Sequence, residues 1–277
     1  MPGDGITIGV LLTPQFGDMA TMRDRWVAAE DLGADAIYTC DHFFPTVLDE
    51  RALSAEEHAA QPDDKNFEAT TIQAAMAATT SRVKIGCLVH GNSYRNPNLM
   101  ADIARTIDHI AGGGRFILGI GSGYEKRDYD EYGYEYGTTK SRLLDLKRDI
   151  PIIKARFEKL NPKPVKKIPI LIASMGEQIG MRIVAEHADM WHVYGHQDQV
   201  THKTAVLKRI CDEVGRDFGT IEMTTFFVPQ LLGAADNDPE HYLKLGIRNI
   251  IAITQGPDWE FTELRTLLQW RKAVTGR

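Results

Sequence analysis

Residues 112–123 read Gly-Gly-Gly-Arg-Phe-Ile-Leu-Gly-Ile-Gly-Ser-Gly. Three consecutive glycines close the helix-period segment that Asn96-Pro97 opens, because glycine takes the left-handed backbone that ends helices. Arg115 to Ile120 is an apolar run of strand length, and the glycines and serine behind it form its exit. One short stretch thus holds a helix end, a strand and a strand exit, a single joint of an alternating chain.

The same joint recurs on both sides. Upstream, Ile6 to Leu12 and Asp35 to Cys40 are strand-like, separated by an amphipathic segment from Met19 to Leu32 that stops at Gly33. A helical pattern from Glu68 to Thr80 leads to a strand from Arg82 to Val89. Downstream, helices are expected over Ser141 to Lys159, from Gly176 to near His187, over Thr201 to Val214, over Asp238 to Leu245 and over Glu260 to Val274. Strands are expected over Pro169 to Ala173, Asp189 to Tyr194, Ile221 to Leu232 and Ile247 to Thr254. Eight strands alternating with eight helices imply a parallel sheet, since parallel neighbours need a crossover. At 277 residues the closed (β/α)8 TIM barrel, which needs about 250, fits better than an open sheet. No linker or repeat divides the chain, so residues 1–277 are expected to form a single α/β barrel domain. The long irregular stretches, 43–66 and 122–139, follow strands, where a barrel carries its functional loops.

Composition narrows the function. A net charge of −6 and scattered basic residues argue against a nucleic-acid binder. No apolar run approaches the 18 or so residues of a membrane span, and the N-terminus lacks a secretory pattern. Cys40, Cys87 and Cys211 are odd in number and widely spaced, which suggests reduced thiols in a cytoplasmic protein. His187, His192 and His196 show no metal-ligand spacing, so no metal is expected, although His192 beside Trp191 can line the barrel mouth.

Chemistry is expected where the strands end. Asp41-His42 ends the second strand; neighbours on an extended chain point opposite ways, and histidine is the side chain suited to proton exchange near neutral pH. Gly119-Ile120-Gly121-Ser122-Gly123 resembles a dinucleotide fingerprint but is spaced GxGxG, and Tyr124 onward is too polar and Tyr-rich to begin a helix. Such an exit can still offer amides, with the Ser122 hydroxyl, to a phosphate, or its glycines can simply ease a tight exit. Ser174-Met175-Gly176 before a helix is a second anion site or a plain N-cap. Gly86, inside the third strand, and the end His90-Gly91-Asn92 suggest a bulge or a close approach to a ligand.

In order and spacing these segments resemble the luciferase-like monooxygenase superfamily, above all its coenzyme F420-dependent branch. The resemblance is carried by Asp41-His42, Phe67-Glu68, the run from Arg82 through Gly86, Val89, Arg95 and Pro97, Gly112 to Gly123, Gly133, Arg142, residues 168–172, Gly176-Glu177 and residues 185–191. It implies a bacterial-luciferase-like barrel with a tricyclic redox cofactor in its mouth, F420 or alternatively FMN. The ring would rest against a bulge at Leu88, Val89 and Gly91 with a non-prolyl cis peptide at Leu88–Val89. The cofactor phosphate would meet Ser122, Gly123 and the turn of Ser174, Met175 and Gly176, and Asp41 would touch the ring or its side chain. His42 would donate the proton in a hydride transfer to or from a small organic substrate. A homodimer is also implied. One departure stands out: Tyr124 occupies the place where some F420-dependent sugar-phosphate dehydrogenases carry a glutamate. The rival readings are a two-component FMN-dependent monooxygenase and a barrel that binds cofactor without catalysis.

Overall fold

The computed structural model describes residues 5–46, 63–229, 233 and 237–276. The strands are β1 (Thr7–Leu12), β2 (Ala36–Thr39), β3 (Lys84–Cys87), β4 (His90–Gly91), β5 (Phe116–Gly121), β6 (Ile170–Ala173), β7 (Met190–His192), β8 (Glu222–Phe227) and β9 (Asn249–Thr254). The helices are α1 (Met19–Leu32), α2 (Ala69–Thr79), α3 (Pro97–Ile110), α4 (Lys126–Tyr132), α5 (Thr139–Lys159), α6 (Gly180–His187), α7 (Gln197–Val214), α8 (Pro239–Lys244) and α9 (Thr262–Thr275). The strands pair in parallel in the order β3-β2-β1-β9-β8-β7-β6-β5-β4, and β3 also pairs with β5, which closes the sheet. β3 and β4 are two pieces of one stave, so the nine segments make the eight-stranded barrel that the alternation predicts.

Two apolar layers hold it. Every second strand residue turns inward, and Leu11, Tyr38, Ile117, Leu171, Met190, Ile251 and Ile253 form the filled interior. The other set, among them Ile8, Ile37, Ile85, Leu118, Ile172 and Trp191, packs outward against the helices. No helix among the described residues is long and apolar enough to cross a membrane.

The expected third strand, Arg82 to Val89, is broken. Between Gly86 and His90 the chain takes four steps while its partner takes three, from Ile117 to Ile120. That extra residue is a β-bulge, and Leu88–Val89 within it is a non-prolyl cis peptide, as the family resemblance implied. The longest expected strand, Ile221 to Leu232, ends at Phe227 as β8; residues 230–232 lie outside the described residues. The helix expected from Thr201 starts at Gln197, because its polar first turn carries no apolar period.

A larger correction concerns the segment after Gly123, read from the sequence as irregular. It folds into α4, with Glu125 accepting from the Arg127 amide at its start and Gly133 (φ 69°) ending it. Seven residues are too few to show a helical period or to be stable alone. Burial of Asp128 and Tyr129, both 0% exposed, fixes this helix from outside. The turn after β6 also differs: α6 starts at Gly180, not directly after Gly176, and the Gly176 carbonyl accepts from the Met181 amide.

Candidate active site

Asp41 and His42, adjacent at the exit of β2, part company as extended neighbours must. Asp41 is 3% exposed. Arg95 grips both its oxygens, Nη1 donating to Oδ2 at 2.6 Å and Nη2 to Oδ1 at 2.8 Å, while Nη2 also donates to Glu68 Oε1 at 2.6 Å. The Gly91 amide donates to Asp41 Oδ2 at 3.2 Å. His90 Nδ1 stands 3.2 Å from the same oxygen but out of line for a full hydrogen bond, and its Nε2 is bonded to Gln73 Oε1 at 3.0 Å. Burial alone would push the Asp41 carboxyl up; His90 and Arg95 overcome this and hold it at about 2. Burial also pushes Glu68 up, but the Thr71 and Thr70 side chains and amides at the start of α2 outweigh it and bring it down to about 2. The result is a clamp that ties the exit of β2 to the bulge.

His42 turns the other way. Its Nδ1 lies 2.9 Å from Asp128 Oδ2, whose partner oxygen accepts from the Phe43 amide at 2.9 Å. Tyr94 also donates its hydroxyl to Asp128 Oδ2 at 2.9 Å. Burial first, and then Asp128, push the Tyr94 phenol far up, so it remains a donor. On the other side of the ring, the Tyr124 hydroxyl is 3.2 Å from His42 Nε2. A buried carboxylate behind an imidazole fixes its orientation and supports positive charge on it, the arrangement a general acid–base histidine needs.

The glycine exit has a mechanical reason. A Cβ on Gly119 would lie 1.8 Å from the Cys87 carbonyl oxygen, and one on Gly121 would lie 2.7 Å from Val89 Cγ2. The bulge therefore projects into space that only glycines in β5 leave open. Leu88, Val89 and Phe226 cap the inner apolar layer there and make a floor for the mouth. Gly123 (φ 76°) cannot carry a side chain because Tyr129 Oη fills the place. Its carbonyl accepts from Arg142 Nε at 3.1 Å, and the Ser122 carbonyl accepts from the Tyr129 hydroxyl at 3.3 Å. Since β5 and β6 are paired neighbours, Ser122-Gly123 and the turn of Ser174, Met175 and Gly176 leave the barrel side by side. The Ser174 carbonyl accepts from Trp191 Nε1 at 2.9 Å, Met175 packs on the outer layer, and Gly176 has open space beside it.

The expected residues thus divide into an acid–base group, a bulge floor and two adjacent exits. That set suits a flat ring laid on Leu88 and Val89 with a phosphate-bearing tail at the exits. Two buried polar atoms lack partners among the described residues and lie on inward-facing positions near this level, Thr13 Oγ1 and His192 Nε2. His192 is 2% exposed, its Nδ1 is 2.8 Å from Thr224 Oγ1, and its ring packs against Phe226. Burial lowers its pKa to about 3, so it is neutral at physiological pH. His187 ends α6 and His196 precedes α7, each on its own element.

Asp128 and Tyr94 escaped sequence reasoning. Asp128 acts across 86 residues of chain on His42, and nothing local distinguishes it from a solvent-facing first-turn acid. Glu68, Arg95 and Arg142 carried a signal only through the family resemblance.

Comparison with known proteins identifies the family to which this fold belongs. Residues 6–254 match the family described as luciferase-like monooxygenase. The chain belongs to that family. Among curated relatives it is similar to the pyrimidine monooxygenase RutA of Escherichia coli O7:K1 (strain IAI39 / ExPEC), 28% identical over 203 residues, 65% of this chain and 60% of that protein. RutA of Enterobacter sp. (strain 638) is 28% identical over 204 residues, 65% of this chain and 54% of that protein. The chain thus spans less than two thirds of the length of these relatives. In structure it is similar to an F420-dependent secondary alcohol dehydrogenase in complex with an F420-acetone adduct (TM-score 0.75, 15% identity, 93% of this chain and 96% of that one). It is also similar to the coenzyme F420-dependent tetrahydromethanopterin reductase of Methanopyrus kandleri (TM-score 0.66, 16% identity, 92% and 95%). A long-chain alkane monooxygenase shares the fold as well (TM-score 0.70, 12% identity, 97% and 92%).

Proposed function

We propose that this chain is an F420-dependent oxidoreductase acting on a small organic substrate. When bound, the deazaflavin supplies a hydride donor or acceptor at C5, and His42 exchanges the proton that goes with the hydride. The observation that carries this reading is the Asp128–His42 pair at the barrel mouth, with its 2.9 Å contact. It is a proton-transfer group held in a fixed orientation above an apolar floor. Leu88, Val89 and Gly91 would hold the ring and Ser122, Gly123, Ser174, Met175 and Gly176 the phosphate. Asp41, clamped by Arg95, would fix the edge of the bulge on which the ring rests. Both F420-dependent neighbours share the barrel over nearly all of both chains, which supports the choice of cofactor.

A second reading has its own support: the curated relatives at 28% identity are pyrimidine monooxygenases. In that case the cofactor is FMN and the chemistry involves O2. The two are separated by titrating the purified protein with F420 and with FMN, following Trp fluorescence. Submicromolar F420 binding with weak FMN binding supports hydride transfer; preference for FMN overturns it. Tight binding without turnover of any substrate would favour a barrel that only binds cofactor. The reading includes a homodimer, for which Leu99 and Ile110, 52% and 45% exposed on one face of α3, offer an apolar surface. Sedimentation velocity tests that part.

A further inference from the structure

The end of β7 puts a polar group in the apolar part of the barrel. Side chains two apart on a strand share a face, so His192 points inward with Met190, a residue of the inner layer. Its height follows from two contacts. His192 pairs with Ala173, the last residue of β6, and the neighbouring Trp191 donates from Nε1 to the Ser174 carbonyl at 2.9 Å. His192 is therefore level with the start of the exit turn. Around the wall, a Cβ on Gly121 would stand 2.7 Å from Val89 Cγ2 and 3.7 Å from the Ala173 carbonyl oxygen, so the bulge, β5 and the end of β6 adjoin. The imidazole completes the arc. It meets Phe226 edge to face, with 4.2 Å between centroids and 68° between planes, and Phe226 packs on the inner layer together with Leu88 and Val89.

Burial opposes charge on this imidazole, so it is neutral and carries one hydrogen. Nδ1 lies 2.8 Å from Thr224 Oγ1, and Nε2 is buried with no partner among the described residues. Thr224 is 0% exposed, and its hydroxyl has no second partner among the described residues. If Nδ1 held the hydrogen, Thr224 would accept it, and the hydroxyl proton would be stranded in the wall. If Thr224 donates to Nδ1, the hydrogen sits on Nε2, and the unmet donor belongs to the inward-facing ring. Buried donors without a partner are rare and under-used acceptors less so. Only the second arrangement leaves no donor unmet once a single acceptor arrives.

We propose that His192 Nε2–H is a binding contact of this site: it donates a hydrogen bond to a carbonyl oxygen or ring nitrogen on the edge of the flat ring that rests on Leu88 and Val89. This rests on the reading that a tricyclic redox cofactor occupies the mouth. It holds for either candidate, because the pyrimidine ends of a flavin and of a deazaflavin carry the same carbonyl groups. A neutral donor in an apolar wall also selects. It accommodates an uncharged acceptor edge and disfavours a ring that brings another donor to that position.

The test uses the whole protein labelled with 15N in its histidine rings, first without cofactor and then saturated with F420 or with FMN. His192→Gln assigns the signals. In the loaded protein the Nε2–H tautomer is expected, and that N–H resonance should move downfield on loading. An Nδ1–H tautomer in the loaded protein, or an N–H resonance that loading leaves in place, overturns the proposal. His192→Phe keeps a flat ring but removes the donor, and should weaken cofactor binding about tenfold. His192→Gln, whose amide still donates, should lose less. Equal affinity of His192→Phe and the unmodified protein overturns the contact as well; if His192→Phe fails to fold, the resonances of the unmodified protein decide. FMN binding with the resonance moved sinks hydride transfer and keeps this contact. F420 binding with the resonance unmoved does the reverse, and binding of neither cofactor sinks both.

Discussion

At the scale of single residues, two buried carboxylates, Asp41 and Asp128, make different contacts around the exit of β2. Asp41 is an anchor, since its charge is met by Arg95 and His90; Asp128 is an orienting group, since its partners are hydrogen-bond donors around His42. Removing one partner of a buried ion pair leaves an uncompensated charge, so Arg95→Met should destabilise the fold by about 3–5 kcal/mol, read from urea unfolding; a loss under about 1 kcal/mol would show that Asp41 is satisfied without it. Acid sensitivity has two limbs. Burial holds His192 at about 3 in the fold against about 6.5 unfolded. The unfolded chain therefore takes up the proton first, and stability falls as pH drops from about 6.5 toward 3, by at most about 1.4 kcal/mol per pH unit. Asp41, held at about 2, contributes fully above its unfolded pKa of about 3.9 and loses that contribution as pH falls through the folded value. His192→Asn should flatten the limb between pH 6.5 and 4 and spare the lower one; equal slopes in both proteins would assign the upper limb to other groups.

At the scale of elements, the glycines of β5 and the bulge between β3 and β4 are one structure written in two places. Gly119 faces the Cys87 carbonyl and Gly121 faces Val89, so the bulge can lean inward only because β5 has no side chains there. Gly119→Ala forces the bulge to shift. The expected cost is about 1–3 kcal/mol of overpacking, with cofactor binding weakened about tenfold, equivalent to about 1.4 kcal/mol. Gly176→Ala makes the contrast: nothing lies within 4 Å of its added Cβ, and its stability should change by less than about 0.5 kcal/mol. Differential scanning of the pair decides; equal losses of stability would mean that the bulge is not what the β5 glycines serve. The helix α4 is the complementary lesson. Its seven residues form because Asp128 and Tyr129 are buried against the two segments that carry His42 and Tyr94, not because of local preference.

For the whole molecule, cofactor binding and stability are linked. F420 at about 100 times its Kd should add about 2.7 kcal/mol, raising Tm by roughly 5–10 °C for a barrel of this size. FMN at the same concentration should leave Tm unchanged; the reverse order would transfer the reading to flavin chemistry. The sequence by itself determined the alternation of strands and helices, because each element had to bury an apolar face whose period is local. It also determined the strand ends and thus Asp41, His42 and the two glycine exits as the place to look. The interruption of the third strand was visible only as a glycine and a polar end, and its position came from resemblance to a family. What Asp41 and His42 each do was decided by tertiary structure alone. Their partners, Arg95, Asp128 and Tyr124, lie 54, 86 and 82 residues away along the chain. No local pattern encodes a hydrogen bond over such separations; closing the barrel brings the partners together, and burial then makes each contact strong.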